Sequence, residues 1–506
     1  MTSSKRIPIA VIAIGSLALP ACSDDGDSGD PLETIDIMAP YFSEVPPEED
    51  DRIDQALSEL TGHDISVQWV PNSEYADKTN VTLAGDDIPD VMVIGAKDQS
   101  FVQTAEVGGF WDLTDYLASG DYPNLVTENP EVQEASSVNG TVYGVYRARD
   151  VIRSCVIIRK DWLDNLGLDL PETTDDLMEL ARAFTEDDPD GNGEDDTYGM
   201  INVEWPAAIG TGSPYDAIEV WHGAGNVWKD VGGTLVPAFE TEEWRQALEF
   251  ERELVENGYL NPDYATMAPE DWNTPFLNGE GGIIIDVQSR AAQLVQLFKE
   301  KDPEDFEYVA LSGQLEGPNG TFTMPTTGYA GFLAIPKAGV QTEEQLEEVL
   351  TFLNDLNSTE AQNLLNHGIE GENYTVEDGL AVFDPEQQDF TDQVTGAWAQ
   401  LGMNVAGFNA YPIKQETEFE QALYDLRLEL QAQEVEDAVF NPAAGLVSET
   451  YTTNGVQLDT MIADARIQYI DGQIDEAGLQ DAIDQWHSSG GDDLIAELNE
   501  LYAELG

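Results

Sequence analysis

Ile65-Ser66-Val67-Gln68-Trp69-Val70 alternates apolar and polar side chains with the two-residue period of a strand. Glu74 to Ala84 follows with a helical period, and Ile88-Pro89-Asp90-Val91-Met92-Val93-Ile94 is strand again. Such strand, helix, strand units imply a parallel sheet covered by helices on both faces. The pattern extends in both directions. Upstream, Ile35-Asp36-Ile37-Met38-Ala39 is strand-like, and Glu49 to Leu60 carries Ile53, Leu57 and Leu60 at helical spacing. Downstream, a second α/β region begins near Ser154, with helices over Trp162 to Leu166 and Thr174 to Phe184. Residues 188 to 240 are rich in Gly, Asp and Trp and read as loop-dominated. A helix over Glu242 to Asn257, a buried strand Gly282-Ile283-Ile284-Ile285-Asp286-Val287, a strand over Tyr329 to Pro336 and a helix over Thr342 to Leu356 come next, and the tail from Gln415 to Leu505 is mainly helical.

Composition narrows the function. The chain has 506 residues, 99 acidic against 21 basic, and a formal net charge of −78. With 41% hydrophobic residues it can still bury sizeable cores, and its length allows several domains. A surface this negative repels phosphate backbones and anionic head groups, which argues against nucleic acid as a partner and against electrostatic docking on membranes. It argues equally against polyanionic ligands such as uronate polymers, unless salt screens the field. The Debye length falls to about 3 Å at 1 M, so the composition suits a salt-loving or otherwise acid-proteome source.

The amino terminus addresses the protein outward. Lys5 and Arg6 precede an apolar run from Ile7 to Leu19, then Leu19-Pro20-Ala21-Cys22, the order of charge, short apolar stretch and small residues found in an export signal. The run is too short for a permanent membrane span. Cysteine directly after the cleavage point resembles a lipobox, which makes residues 1–21 a signal peptide, Cys22 the lipidated residue and the acidic, Gly-rich stretch 22–31 a tether. Ordinary secretion with a chance cysteine is the alternative. The other cysteine, Cys155, lies in a β-branched run and reads as a small core residue.

Taken in order, the lipobox, Ile35-Asp36-Ile37-Met38-Ala39-Pro40, Asp64-Ile65-Ser66-Val67-Gln68-Trp69-Val70-Pro71-Asn72-Ser73-Glu74-Tyr75, Ile88-Pro89-Asp90-Val91, Asn139-Gly140-Thr141-Val142-Tyr143-Gly144-Val145 and Arg159-Lys160-Asp161-Trp162-Leu163-Asp164-Asn165-Leu166-Gly167 resemble the extracellular solute-binding proteins, family 1. Within it the chain resembles the long lipoproteins that serve carbohydrate ABC transporters. The resemblance implies an α/β, two-lobe periplasmic-binding-protein-like fold, each lobe a mixed sheet flanked by helices, joined by hinge strands. It places lobe 1 over 32–152, lobe 2 over 153–314, a return to lobe 1 over 315–380, and a return to lobe 2 with C-terminal helices over 381–506. It also implies a ligand trapped between the lobes and delivery to permease subunits by a monomer on the extracellular face of the membrane.

Two residue patterns carry chemistry. In Asp188-Pro189-Asp190-Gly191-Asn192-Gly193-Glu194-Asp195-Asp196-Thr197, oxygens at positions 1, 3, 5 and 9, a backbone carbonyl from Glu194 at 7 and a glycine at 6 match the first nine places of a calcium loop. Position 12 is Gly199, so the bidentate glutamate of an EF-hand is absent; in the resembling family the residue after position 9, here Thr197, can ligate instead. A solvated acidic turn is the alternative reading. For a sugar, flat aromatic faces and hydrogen-bonding side chains are needed. Tyr41, Trp205, Trp221 and Tyr374 supply candidate faces, and Phe42, Trp228 and Trp272 stand in similar contexts. Arg147 and Arg149 stand out near the expected first crossing because cations are scarce, and Asp286 ends a buried strand. No G-x-S-x-G, H-E-x-x-H, Walker loop, G-x-G-x-x-G or C-x-x-C occurs, and the four histidines are scattered. The reading is a non-enzymatic sugar- or oligosaccharide-binding protein with a structural Ca2+. A secreted glycoside hydrolase and a surface adhesion or scaffold protein are the rivals.

Overall fold

The computed structural model describes residues 31–48, 52–205, 209–384 and 387–505. The expected signal peptide, Cys22 and the tether through residue 30 lie outside the described residues. In chain order the strands are β1 (Ile35–Tyr41), β2 (Ile65–Pro71), β3 (Val91–Ile94), β4 (Gly144–Ala148), β5 (Ser154–Arg159), β6 (Tyr198–Met200), β7 (Trp228–Asp230), β8 (Leu235–Pro237), β9 (Gly281–Val287), β10 (Val309–Ser312), β11 (Tyr329–Ala334), β12 (Tyr374–Glu377) and β13 (Leu380–Phe383). They build two principal sheets, ordered β2-β1-β3-β11-β4 and β10-β5-β9-β6, with β7–β8 and β12–β13 as hairpins.

The strand, helix, strand stretch that opens the sequence behaves as its periods require. β2 and β3 pair in parallel on either side of β1, Ile37 lying opposite both Val67 and Val91, while β11 inserts antiparallel between β3 and β4. Helices Arg52–Thr61, Glu343–Leu356 and Thr359–His367 are among those that flank this sheet, and their apolar stripes close the first core. In the second sheet β5 pairs antiparallel with β10 and β9, and β6 runs parallel to β9. Every residue of β5 is buried, as a strand covered on both faces should be.

The two cores are separate in space but not in sequence. Leu315 and Met324 pack in the second core, whereas Val394, Trp398, Leu401, Met403 and Val405 pack in the first. The segment 149–153 carries the chain from lobe 1 to lobe 2 and 325–328 carries it back. These segments lie side by side: Arg149 N donates to Gly328 O at 2.9 Å and Thr326 N to Val151 O at 2.7 Å. The long helix Glu418–Glu434 then docks Phe419, Leu423 and Leu426 on lobe 2.

The stretch 188–240 departs from its loop-dominated reading. Ser213 and Asp216 form a reciprocal capping box with Pro214 at the first helical position, and they start the buried helix Pro214–Trp221.

Candidate functional site: the cleft between the lobes

Topology alone aims two sets of residues at one another. β1, β2, β3 and β4 all run in the same sense, so Tyr41, Pro71, Ile94 and Ala148 end at one edge of the first sheet, the edge from which the chain leaves for lobe 2. In lobe 2, β5 starts at the facing edge. Because β9 is antiparallel to it, with Val287 opposite Ser154, the end of β9 lies there too, and so does the segment 201–205 that continues β6. The carboxyl ends of parallel strands are where open α/β sheets place ligands.

The lobe 2 wall is aromatic and cationic. Trp272 is buried with its indole N–H donating to Ile201 O at 2.9 Å, and half-buried Trp205 meets it edge to face at 5.7 Å. Arg290 lies over the Trp272 ring, 4.3 Å from its centroid, bonded to Asp286 and, at 2.7 Å, to Asn273 Oδ1. On the opposite rim Phe42, just after Tyr41, is 59% exposed. At the lobe junction lies a cavity of about 430 Å3 lined by Lys97, Asp98 and Gln99 from lobe 1 and by Trp228, Asn441 and Tyr451 among others from lobe 2. Lys97 fastens the lobes there: its ammonium donates to Ala135 O, Ser137 O and Ala444 O. Burial without a carboxylate lowers its pKa to about 8.

The hinge side of the cleft gathers arginines. Arg147 donates to Ala330 O at 3.0 Å and Gln400 Oε1 at 2.8 Å, and burial lowers its pKa to about 10. Arg149 is exposed beside it. Burial and then Arg149 push the Arg153 guanidinium below its ordinary range; Asp150 and Asp286 oppose this, and Arg427 adds to it. Arg427 reaches the same place from the helix Glu418–Glu434, one turn before Gln431, which donates to Asp150 Oδ2 at 3.2 Å and Gln288 Oε1 at 2.9 Å.

The sequence candidates therefore separate. Tyr41, Arg147, Arg149, Trp205 and Asp286 share the cleft edge, although Asp286 is occupied by Arg290. Trp221 is fully buried in the second core with its indole N–H on Gln314 Oε1 at 2.9 Å, and Tyr374 is buried against His367 and Phe383. Cys155 is buried, as its β-branched setting suggests. Arg153, Arg290 and Arg427 were not singled out from sequence. A lone cation inside Val151-Ile152-Arg153-Ser154 was a usable signal; Arg427 sits in an ordinary charged helix and gave none.

The acidic loop folds on itself. The Asp188 carboxylate accepts from Gly193 N–H, Asn192 Oδ1 from Glu194 N–H at 2.6 Å, and the Asn192 amide bridges Asp190 and Asp196 at 2.8 and 3.2 Å. Gly191 and Gly193 take the left-handed conformations that this tight fold needs. Thr197 is turned away, its hydroxyl donating to Phe184 O at 2.8 Å. The loop's hard oxygens are of the kind a hard cation takes, but here they are satisfied by the Asn192 amide and by backbone N–H groups. Among the described residues no group of three His, Cys, Asp or Glu side chains already gathers at metal-holding spacing.

Residues 47–363 match the family described as bacterial extracellular solute-binding protein. The chain belongs to that family. It is 42% identical to Lipoprotein LipO of Bacillus subtilis (strain 168) over 98% of this chain and 97% of that protein. It is 30% identical to the polygalacturonan/rhamnogalacturonan-binding protein YtcQ of the same organism over 98% of each. Among solved structures, the S. pneumoniae ABC-transporter substrate-binding protein FusA in complex with kestose superimposes with a TM-score of 0.62 at 19% identity, covering 93% of this chain and 99% of that one. FusA has also been solved as an EF-hand mutant with fructo-nystose, with a TM-score of 0.60 at 18% identity and the same coverage. This solute-binding protein thus has the two-lobe α/β fold of its family.

Proposed function

We propose that this protein is the lipid-anchored substrate-binding component of an ABC importer and that it captures a sugar or oligosaccharide between its lobes without transforming it. One observation carries the reading: half-buried Trp205, braced edge to face on the buried Trp272–Arg290 pair, stands at the same inter-lobe edge at which β1 ends and Phe42 is exposed, beside two hydrogen-bonded crossings. Aromatic faces take the apolar C–H side of a pyranose, and the charged and amide groups around them take its hydroxyls. The carbohydrate ligands in the names of YtcQ and FusA support this choice of solute. Closure follows because a ligand held by both lobes favours the closed state through its differential affinity, and the closed form is what permease subunits recognise. Acylation of Cys22 would keep the monomer on the extracellular face of the membrane.

A thermal-shift screen of mono- and oligosaccharides tests the proposal. Saturable stabilisation with no new reducing ends is expected. Release of reducing sugar would establish the hydrolase instead, and indifference to every saccharide would favour a scaffold. For the acidic loop we propose a structural Ca2+ held by Asp188, Asp190, Asn192, Asp196 and the Glu194 carbonyl. Chelation at fixed ionic strength then lowers the melting temperature, and Asp190→Ala abolishes that response; an unchanged melting temperature in the parent protein would refute the metal.

A further inference from the structure

We infer that the solute carries an aromatic aglycone on its saccharide and that the cavity at the lobe junction receives this ring on Tyr451. The inference rests on the sugar-capture reading and narrows it. At about 430 Å3 the cavity lies in the size range of small-molecule sites. Its inner wall is apolar: Trp228, Phe239, Trp486, Leu494 and Leu498 are buried members of one cluster, Phe239 meeting Trp486 edge to face at 4.9 Å. Trp205 and Ile209 pack against the same cluster and Ile209 lines the cavity, which therefore adjoins the Trp205 step. Toward solvent the lining continues onto the helix Glu449–Ile470, where Val456 is 85% and Tyr451 48% exposed.

Tyr451 is laid along that helix. Its hydroxyl donates to Asp459 Oδ2, eight residues on, at 2.7 Å, and its ring passes over Gly455 between them. A Cβ at position 455 would stand 2.9 Å from the ring. Glycine weakens a helix interior, and here it is what lets the ring lie flat. A ring held at its far end by a hydrogen bond is a platform ordered before any ligand arrives, so little further ordering opposes binding.

The choice between a bare pyranose and an aryl ring follows from what the wall has already used. The Lys97 ammonium donates to three carbonyls. Ser448 Oγ donates to Glu497 and accepts from Tyr451 N–H, Thr452 Oγ1 donates to Ser448 O at 2.8 Å, and Asn441 Oδ1 accepts from Ala443 N–H at 3.0 Å. The Tyr451 hydroxyl proton is on Asp459, whose pKa burial raises to about 6, the mark of a weakly solvated wall. A pyranose brings hydroxyls around its whole rim, and leaving them unpaired among such groups is costly. An aryl ring brings none, and it gains stacked and edge-to-face contacts with Tyr451 and the aromatic floor.

The test titrates the full mature chain calorimetrically, at constant ionic strength, with phenyl and methyl β-D-glucopyranoside, the matching galactosides and phenol. In at least one sugar series the phenyl glycoside should bind at least about tenfold more tightly than the methyl glycoside. Tyr451→Ala, and Gly455→Ala, which displaces the ring, should each remove most of that preference. Alanine is the better helix former, so Gly455→Ala should not lower the melting temperature, which separates loss of the platform from loss of the fold. Equal affinity for phenyl and methyl glycosides, or a preference that survives both substitutions, would overturn the aromatic assignment while leaving sugar capture standing. Equal losses for both glycosides in the variants would make Tyr451 a platform for the pyranose and overturn it as well. Phenol binding as tightly as the phenyl glycosides would show a ring taken up without a sugar, which overturns the aglycone. A protein that binds other saccharides but neither phenyl glycoside overturns this inference alone; failure of every saccharide overturns both readings together.

Discussion

Two tryptophans from one Gly- and Pro-interrupted stretch, alike by composition, meet opposite fates. Trp205 stands at the cleft edge, and Trp205→Ala is expected to weaken saccharide binding about tenfold while leaving the melting temperature nearly unchanged. Trp221 fills the second core, and Trp221→Ala is expected to cost about 3–5 kcal/mol in urea unfolding. Their difference was legible in part: Ser213-Pro214-Tyr215-Asp216 is a helix start, and it turns Trp221 into a core position of a capped helix. Glu434 shows a residue-scale effect that composition hides. Burial raises its pKa from 4.5 to about 7; Oε1 accepts from Gln314 N at 2.8 Å and Oε2 has no partner. The folded state therefore keeps a proton that the unfolded chain releases, so the stabilising contribution is lost as the pH rises from about 4.5 to about 7. Denaturant midpoints at pH 5 and pH 8 should differ less in Glu434→Gln than in the parent; an identical difference would show that Glu434 does not titrate there.

At the scale of elements, the C-terminal helices are attached to lobe 2 through charge as well as through their apolar faces. Arg466, in the helix Glu449–Ile470, is fully enclosed and donates to Asp216 Oδ1 at 3.0 Å and Glu219 Oε1 at 2.9 Å in the helix Pro214–Trp221. Glu251 lies beside them with neither oxygen bonded, and burial, with Glu219 next, holds its carboxyl well above the ordinary range. Arg466→Leu leaves buried acids uncompensated and is expected to cost about 3–5 kcal/mol, whereas Glu251→Gln should be neutral or stabilising. Calorimetry of both variants checks this, and equal destabilisation would refute the asymmetry. The helices themselves were plain in the sequence because their apolar spacing is local. The Arg466 cluster was not, since Asp216, Glu219, Glu251 and Arg466 meet only after three helices pack.

For the whole molecule, a charge of −78 sets the response to salt. Like charges spread over two lobes repel one another, and screening should raise the melting temperature between 0.1 M and 1 M NaCl. A falling melting temperature would show that the ion pairs outweigh the repulsion. Closure around a ligand should appear as a smaller radius of gyration in small-angle scattering, and an unchanged radius would count against hinge motion. The amino-acid order by itself determined the α/β class, most of the helices, the strands β1, β2, β3, β9 and β11, and the parallel pairing of β1 with β2 and β3, because periodicity and short crossovers act over a few tens of residues; the antiparallel insertion of β11 and the elements inside 188–240 came only with the tertiary structure. Only the tertiary structure decided which side chains face the cleft. Arg153 and Arg427 come from opposite ends of lobe 2, and Trp205 and Trp272 from separate loops. What they share is an edge that exists once two sheets have been laid facing each other.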